Sequence, residues 1–314
     1  MPEEFKISLL GFNSTKDAEA VGEIIGCCTR ELSRLFDLSS LDGVTVASNY
    51  TKALQDLDRG YESNYQLVPS EGNVVGVAMT PSVVRDGRLK SHIVLSAGIA
   101  EGINDINGEK FQFFLQTLAH ECAHVEINNK FDTVFPNILL RQQYDDERLR
   151  IREDLSLACW NEFAATYLSA KIGQDFSPYY EESFLRHLNE AKLLASRSIG
   201  DYLDHNNHLR VLSEVAGQYG RLLTLSAYYL GNLSGHGVDP FSEEELSKRI
   251  SGQWFEPFLK KLHNLLQAIY LEYGAWKDLS PFERIGVLAE ELLANGDITF
   301  HYTSEGQLQF NFPH

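Results

Sequence analysis

The chain lacks most of the features that would assign it to a class at once. No apolar run reaches the about 18 residues that cross a bilayer, and the opening MPEEFKISLLGF has acids where a secretory leader has Lys or Arg. Both absences predict a cytoplasmic protein that does not engage a membrane. The four cysteines, Cys27, Cys28, Cys122 and Cys159, form no Cys-x-x-Cys pair and no framework of paired spacings. Reduced thiols are therefore expected, and any metal must be held by histidine and carboxylate. Positive charge is scarce as well, with 27 Lys and Arg against 44 Asp and Glu, a net charge of -17. Such a surface repels phosphate backbones, which argues against nucleic acid as a partner. Internal repeats and low-complexity segments are absent too.

What is present is the composition of a folded globular protein, 43% hydrophobic and 23% charged over 314 residues. Residues 14 to 36 read as an amphipathic helix capped at Ser14 or Thr15, with Ala18, Val21, Ile24, Ile25, Leu32 and Leu35 at helical spacing. The segments GVTVAS, VVGVAMT and HIVLSA then read as strands, with a turn at RDG, residues 85 to 87. After Gly108 the period becomes helical, placing Phe111, Phe114, Leu115, Leu118, Cys122 and Val125 on one stripe as far as about Asn129. Past Pro136 a second helix runs to Ile172, with Gly173 as its C-cap.

The remainder is mainly helical. Ser242-Glu243-Glu244-Glu245 and Ser280-Pro281-Phe282-Glu283 fit capping boxes, and DITFHYT with GQLQFNF fits a terminal hairpin. The expected fold is α+β: a small mixed sheet with a long helix in residues 1–175, and a helical lobe in 176–314, either as two domains or as two lobes of one.

The first of the two long helices carries His120-Glu121-Cys122-Ala123-His124. Residues four apart lie one above the other on a helix, so two neutral imidazoles can hold one ion between them, while Glu121 is rotated about 100° away. Two His nitrogens, a third protein ligand and a water at an open fourth position make a catalytic zinc site, with the intervening Glu as general base. The plainer alternative is two satisfied histidines on a core helix.

The third ligand is sought in ACWNEFAATYLSA. Glu162 has Ala158, Cys159, Ala165 and Thr166 as its helical neighbours. A carboxylate in such company is costly unless it is paired or binds metal. Glu162 is the candidate; the alternative is a buried Glu paired with Arg141 or Arg186.

HECAH followed by Asn161-Glu162-Phe163-Ala164-Ala165-Thr166 resembles the gluzincin branch of zincin metallopeptidases, over roughly residues 90 to 172. The resemblance implies one zinc per chain on His120, His124 and Glu162, with Glu121 as catalytic base. The FAATYL run is also loosely similar to ImmA/IrrE-type cytoplasmic metallopeptidases. The metzincin branch is excluded, because Ile127 and Lys130 stand where its extension has Gly and His. The chain also departs from the thermolysin-like pattern, since Thr166 stands where that pattern has an Asp supporting a histidine.

An oxyanion donor is also expected, from among Tyr144, Tyr179, Tyr180, His187, His205, His208, Tyr228 and His236. The run DHNNH at 204 to 208 is either a solvated turn or part of a site; His92, His263, His301 and His314 read as structural or exposed. Two functional classes follow. One is a zinc peptidase acting on a cytoplasmic protein or peptide, with HIVLSA as the edge strand that pairs with extended substrate. The other is a zinc-binding scaffold that recruits a partner without turnover.

Overall fold

The computed structural model describes residues 5–63, 65–69, 76–101, 103–242 and 244–312. The chain forms two compact units: Met1–Gln142 with Leu168–Asp175, and Gln143–Tyr167 with Phe176–His314. It is an α+β protein with a small sheet and a helical C-terminal region. Among the described residues no helix is long and apolar enough to cross a membrane.

The first unit contains β1 (Lys6–Leu10), α1 (Thr15–Leu32), β2 (Leu41–Ala47), α2 (Tyr50–Gln55), β3 (Ala78–Met79), β4 (Ser82–Arg85), β5 (Arg88–Ser96) and α3 (Glu109–Val134). Ser14 caps α1 by accepting from the Asp17 N–H. The helix stops at Leu32, so Leu35, counted in its apolar stripe, is exposed instead. The sheet runs β1-β2-β5-β3, with β4 also pairing with β5. β1 to β2 and β2 to β5 are parallel, while β3 and β4 are antiparallel to β5.

Val44, Val46, Ile93 and Leu95 are fully buried on one face. On the other, Ala47 and Val94 pack with Tyr50, Ala53 and Leu54 of α2. Both faces are covered, which is why these strands read as nearly continuous apolar runs.

The turn expected at RDG is the β4–β5 hairpin, with Asp86 and Gly87 both at positive φ, as a two-residue hairpin loop requires. One expectation is corrected here. HIVLSA lies within β5, which has β2 on one side and β3 and β4 on the other, so it cannot be the sheet edge. Among the described residues β1 and β3 end the strand order, and Ala78 and Met79 of β3 pair with Leu95 and Val94. Val74 and Val75 of the expected strand lie outside the described residues.

α3 is longer and more central than a one-stripe helix. Residues Gln116 to Ala123 and Val125 to Asn128 are all buried, and several of the polar ones bond to residues far along the chain. Glu126 Oε2 accepts from the Asp37 N–H at 2.7 Å, and Asn128 Nδ2 donates to Ser91 Oγ at 3.3 Å. After α3, α4 spans Glu147–Ser169. It ends at Ser169, before the expected Ile172. Gly173 is therefore not its C-cap: at φ +70° it presses on α3, where a Cβ would stand 2.5 Å from the Gln112 carbonyl oxygen.

The second unit adds α5 (Ser177–Gly200), α6 (Tyr202–His205), α7 (His208–His236), α8 (Glu244–Ile250), α9 (Glu256–Leu271), α10 (Ser280–Asn295) and the hairpin β6 (Thr299–Tyr302) to β7 (Leu308–Asn311). The hairpin is the one expected from the tail. Trp160 of α4 is surrounded by Tyr270, Tyr273, Trp276 and Phe282, with ring centroids 5.5–6.4 Å away.

Ser280 does not cap α10. It is the first helical residue after Leu279, and its N–H donates to Asp278 Oδ1 at 2.9 Å. Glu243 of the other expected box lies outside the described residues, as does His314.

Candidate metal centre

The middle of α3 brings His120 and His124 to one face by the helical repeat alone. His120 is buried and His124 half-buried. Their Nε2 atoms approach to 3.0 Å, with the rings nearly perpendicular at 87°. Glu162, half-buried on α4, completes the group. One ligand atom from each of His120, His124 and Glu162 lies within 4.8 Å of the others.

This arrangement passes a simple fit test. Ligands about 2.0–2.1 Å from one tetrahedral ion are about 3.3 Å apart, and the two imidazole nitrogens are already near that separation. Two nitrogens and a carboxylate oxygen form a donor set for a divalent ion. The group could hold a metal ion. Burial pushes the thiol of neighbouring Cys122 up, and pushes the Cys159 thiol up to about 12, the direction expected of inert buried thiols. All four cysteines are free.

Glu121 is 5% exposed, not on a solvated rim. Its Oε2 accepts from Thr80 Oγ1 at 2.6 Å, and the same hydroxyl lies 3.3 Å from the Glu121 carbonyl oxygen. Tyr50, at the start of α2, has a buried hydroxyl with no hydrogen-bond partner. Burial and then the charge of Glu121 push its pKa well above the ordinary phenol value. Sequence reasoning missed both Thr80 and Tyr50. Each stands at least 40 positions from Glu121 in the chain, so no local pattern pointed to either.

The other candidates have local roles. Thr166 Oγ1 donates back to the Glu162 carbonyl at 2.8 Å and lies 3.1 Å from that of Phe163, a common use of Thr within a helix. Arg186, one proposed ion partner of Glu162, pairs with Glu182 on its own helix. DHNNH forms the turn between α6 and α7. Asn206 is left-handed, Asn207 caps α7 by accepting from the Arg210 N–H at 3.1 Å, and His208 Nε2 lies 2.7 Å from Tyr202 OH. Among the proposed oxyanion donors, His187 Nε2 bonds the Gln218 carbonyl at 2.9 Å and Tyr144 donates to Glu153 at 3.2 Å. Tyr180 packs on Tyr228 with ring centroids 5.4 Å apart.

Just before β3, the Val77 carbonyl accepts from the Ser96 N–H at 2.7 Å. Val77 also helps line a cavity of about 380 Å³ with Ser96, Ile99, Lys110 and Phe113. Comparison of the chain with protein-family models, curated proteins and solved structures found no match.

Proposed function

We propose that the chain is a zinc-dependent metallopeptidase of zincin type, gluzincin-like in its ligand set. It would hold one zinc on His120, His124 and Glu162 and hydrolyse peptide bonds of a cytoplasmic protein or peptide. The observation that carries this reading is the convergence of those three ligand atoms within 4.8 Å, with the two histidines on a helix that also presents a carboxylate between them. When bound, zinc would lower the pKa of a water toward about 7 and polarise a carbonyl.

The chain's own residues supply the rest. Glu121 is the general base. Its Oε2 is taken by Thr80, which leaves Oε1 as the atom to receive a proton from the attacking water and to deliver it to the leaving amine. The buried Tyr50 hydroxyl is a donor in reserve near that carboxylate. The free side of β3 can pair with an extended segment, since an edge strand offers unsatisfied N–H and C=O groups. The cavity at Val77 can take one of that segment's side chains. Folded helices and sheets have committed their backbone groups, so unfolded segments are the preferred substrates.

The test is metal content and cleavage together. Elemental analysis of the purified protein should find about one zinc per chain, lost in His120→Ala and in His124→Ala, and the wild type should cleave an unfolded casein probe. Zinc retained by both alanine variants would remove the site. Zinc bound without any cleavage would favour the scaffold reading.

A further inference from the structure

We infer that Thr80 is the positioning residue of Glu121, deciding which carboxylate oxygen is free to work; this rests on the peptidase reading above. A glutamate side chain ends in a torsion that is broad and two-fold. Placing Glu121 on α3 therefore does not settle which oxygen faces the reacting water. A single rigid donor can settle it, and Thr80 has the properties of one.

Its backbone is held from both sides. Met79 pairs with Val94 in the sheet, and the Pro81 carbonyl accepts from the His92 N–H at 2.9 Å. Standing before a proline, Thr80 is also biased to an extended conformation. Its β-branched side chain is stiff about χ1.

The hydroxyl has one proton and two acceptors in range. The 2.6 Å contact with Oε2 falls in the short range of charge-assisted O–H···O⁻ bonds, whereas the 3.3 Å contact with the Glu121 carbonyl is long. The proton therefore goes to Oε2. The shortest strand of the sheet thus has a task beyond pairing. It ends at Met79, directly before the donor that orients the base, and so places that donor next to the side of the sheet where substrate would lie.

The experiment compares Thr80→Val, which keeps the shape and loses the hydroxyl, with Thr80→Ser, which keeps the hydroxyl. All variants are full-length and zinc-loaded, with metal content as the check on folding. With fluorescein-labelled casein as probe, Thr80→Val should lower kcat about ten- to hundredfold at unchanged KM, and Thr80→Ser should recover most of it. A merely structural role would not give that split or that rescue. Independently of activity, a double-mutant cycle on urea unfolding between Thr80→Val and Glu121→Ala should show a coupling of about tenfold.

A coupling below about twofold would overturn the inference. So would a wild-type kcat in a zinc-loaded Thr80→Val protein, and in that case the peptidase reading stands because the wild type still cleaves. A wild type that binds zinc and cleaves nothing overturns both.

Discussion

α3 and α7 are the two longest helices of the chain, at 26 and 29 residues, and both are buried through their middle turns. They bury different things. α7 buries mostly Leu, Val, Ala and Tyr, with Ser226 and Asn232 as polar exceptions. α3 buries Gln116, Thr117, His120, Glu121, Glu126 and Asn128 beside its apolar residues. Burying a carboxylate or an imidazole without a partner costs several kcal/mol, so α3 is an expensive way to build a core. Three of these groups are matched to distant residues, Glu121 to Thr80, Glu126 to Asp37 and Asn128 to Ser91, while Thr117 bonds back to the Phe113 carbonyl of its own helix. That pattern is what the proposed site would ask of α3, whereas the buried residues of α7 are mostly those of packing.

The sharpest way to break this contrast is at Glu121. Glu121→Gln keeps the shape and is expected to keep zinc, yet should lower peptidase activity by at least about a thousandfold because the proton acceptor is gone. Cleavage of casein at the wild-type rate, with zinc bound, would make α3 an ordinary polar core helix.

The converse change belongs to α7. Leu230 is fully buried, and Leu230→Ala should cost about 2–5 kcal/mol of stability through lost transfer energy and the cavity left behind. Metal content at temperatures where the variant is folded should stay at about one per chain. If zinc were lost with the protein still folded, the two helices would not divide the work as described.

Glu162 comes next in size. Glu162→Ala should weaken zinc affinity at least about a hundredfold, and Glu162→Asp less, because the charge remains on a shorter arm. If Glu162 is instead a structural ion-pair partner, the alanine variant loses thermal stability and keeps its zinc. Parallel zinc titration and thermal unfolding read the two outcomes separately.

How much of this was legible in the sequence follows from range. His120, Glu121 and His124 lie within one helical turn, so spacing alone places them. Glu162 stood out because a carboxylate amid Ala158, Cys159 and Ala165 is chemically odd. The α+β class and the terminal hairpin followed from periodicity in the same way. Thr80 and Tyr50 were invisible because they stand at least 40 positions from Glu121, outside any local pattern, and β3, which ends just before Thr80, is only two residues long.

The misplacement of the sheet edge has the same origin. Apolar content reports that a strand is buried, not which neighbours it has, and β5 looked like any buried strand until β4 was found folded back onto it. At Ser280 the letters of a capping box were present, but Asp278 two residues earlier reached the N–H first.

The smallest expected effect concerns two histidines that burial treats alike and partners treat differently. In the first unit, His92 Nδ1 lies 2.8 Å from Asp42 Oδ2 and its Nε2 2.9 Å from Thr45 Oγ1. In the second, both ring nitrogens of His263 are buried without a hydrogen-bond partner. Burial is the first cause lowering both pKa values from the ordinary histidine value of about 6.5. The Asp42 hydrogen bond and charge oppose this for His92 while Arg85 adds to it, and Asp239 opposes it for His263.

A histidine whose folded pKa is depressed is neutral in both states above about 6.5, so its contribution to stability is fully present there. As the pH falls below 6.5 the unfolded chain takes the proton first, and stability is lost down to the folded pKa. His263→Phe should therefore flatten the acid side of the stability profile. It should also stabilise the neutral protein by about 1 kcal/mol or less, because two buried nitrogens without partners disappear. His92→Phe should flatten the same limb but destabilise at pH 7, because Asp42 and Thr45 lose their partner. Urea unfolding from pH 5 to 8 distinguishes the two, and a His263→Phe protein less stable than wild type at pH 7 would show that this ring is held by more than packing.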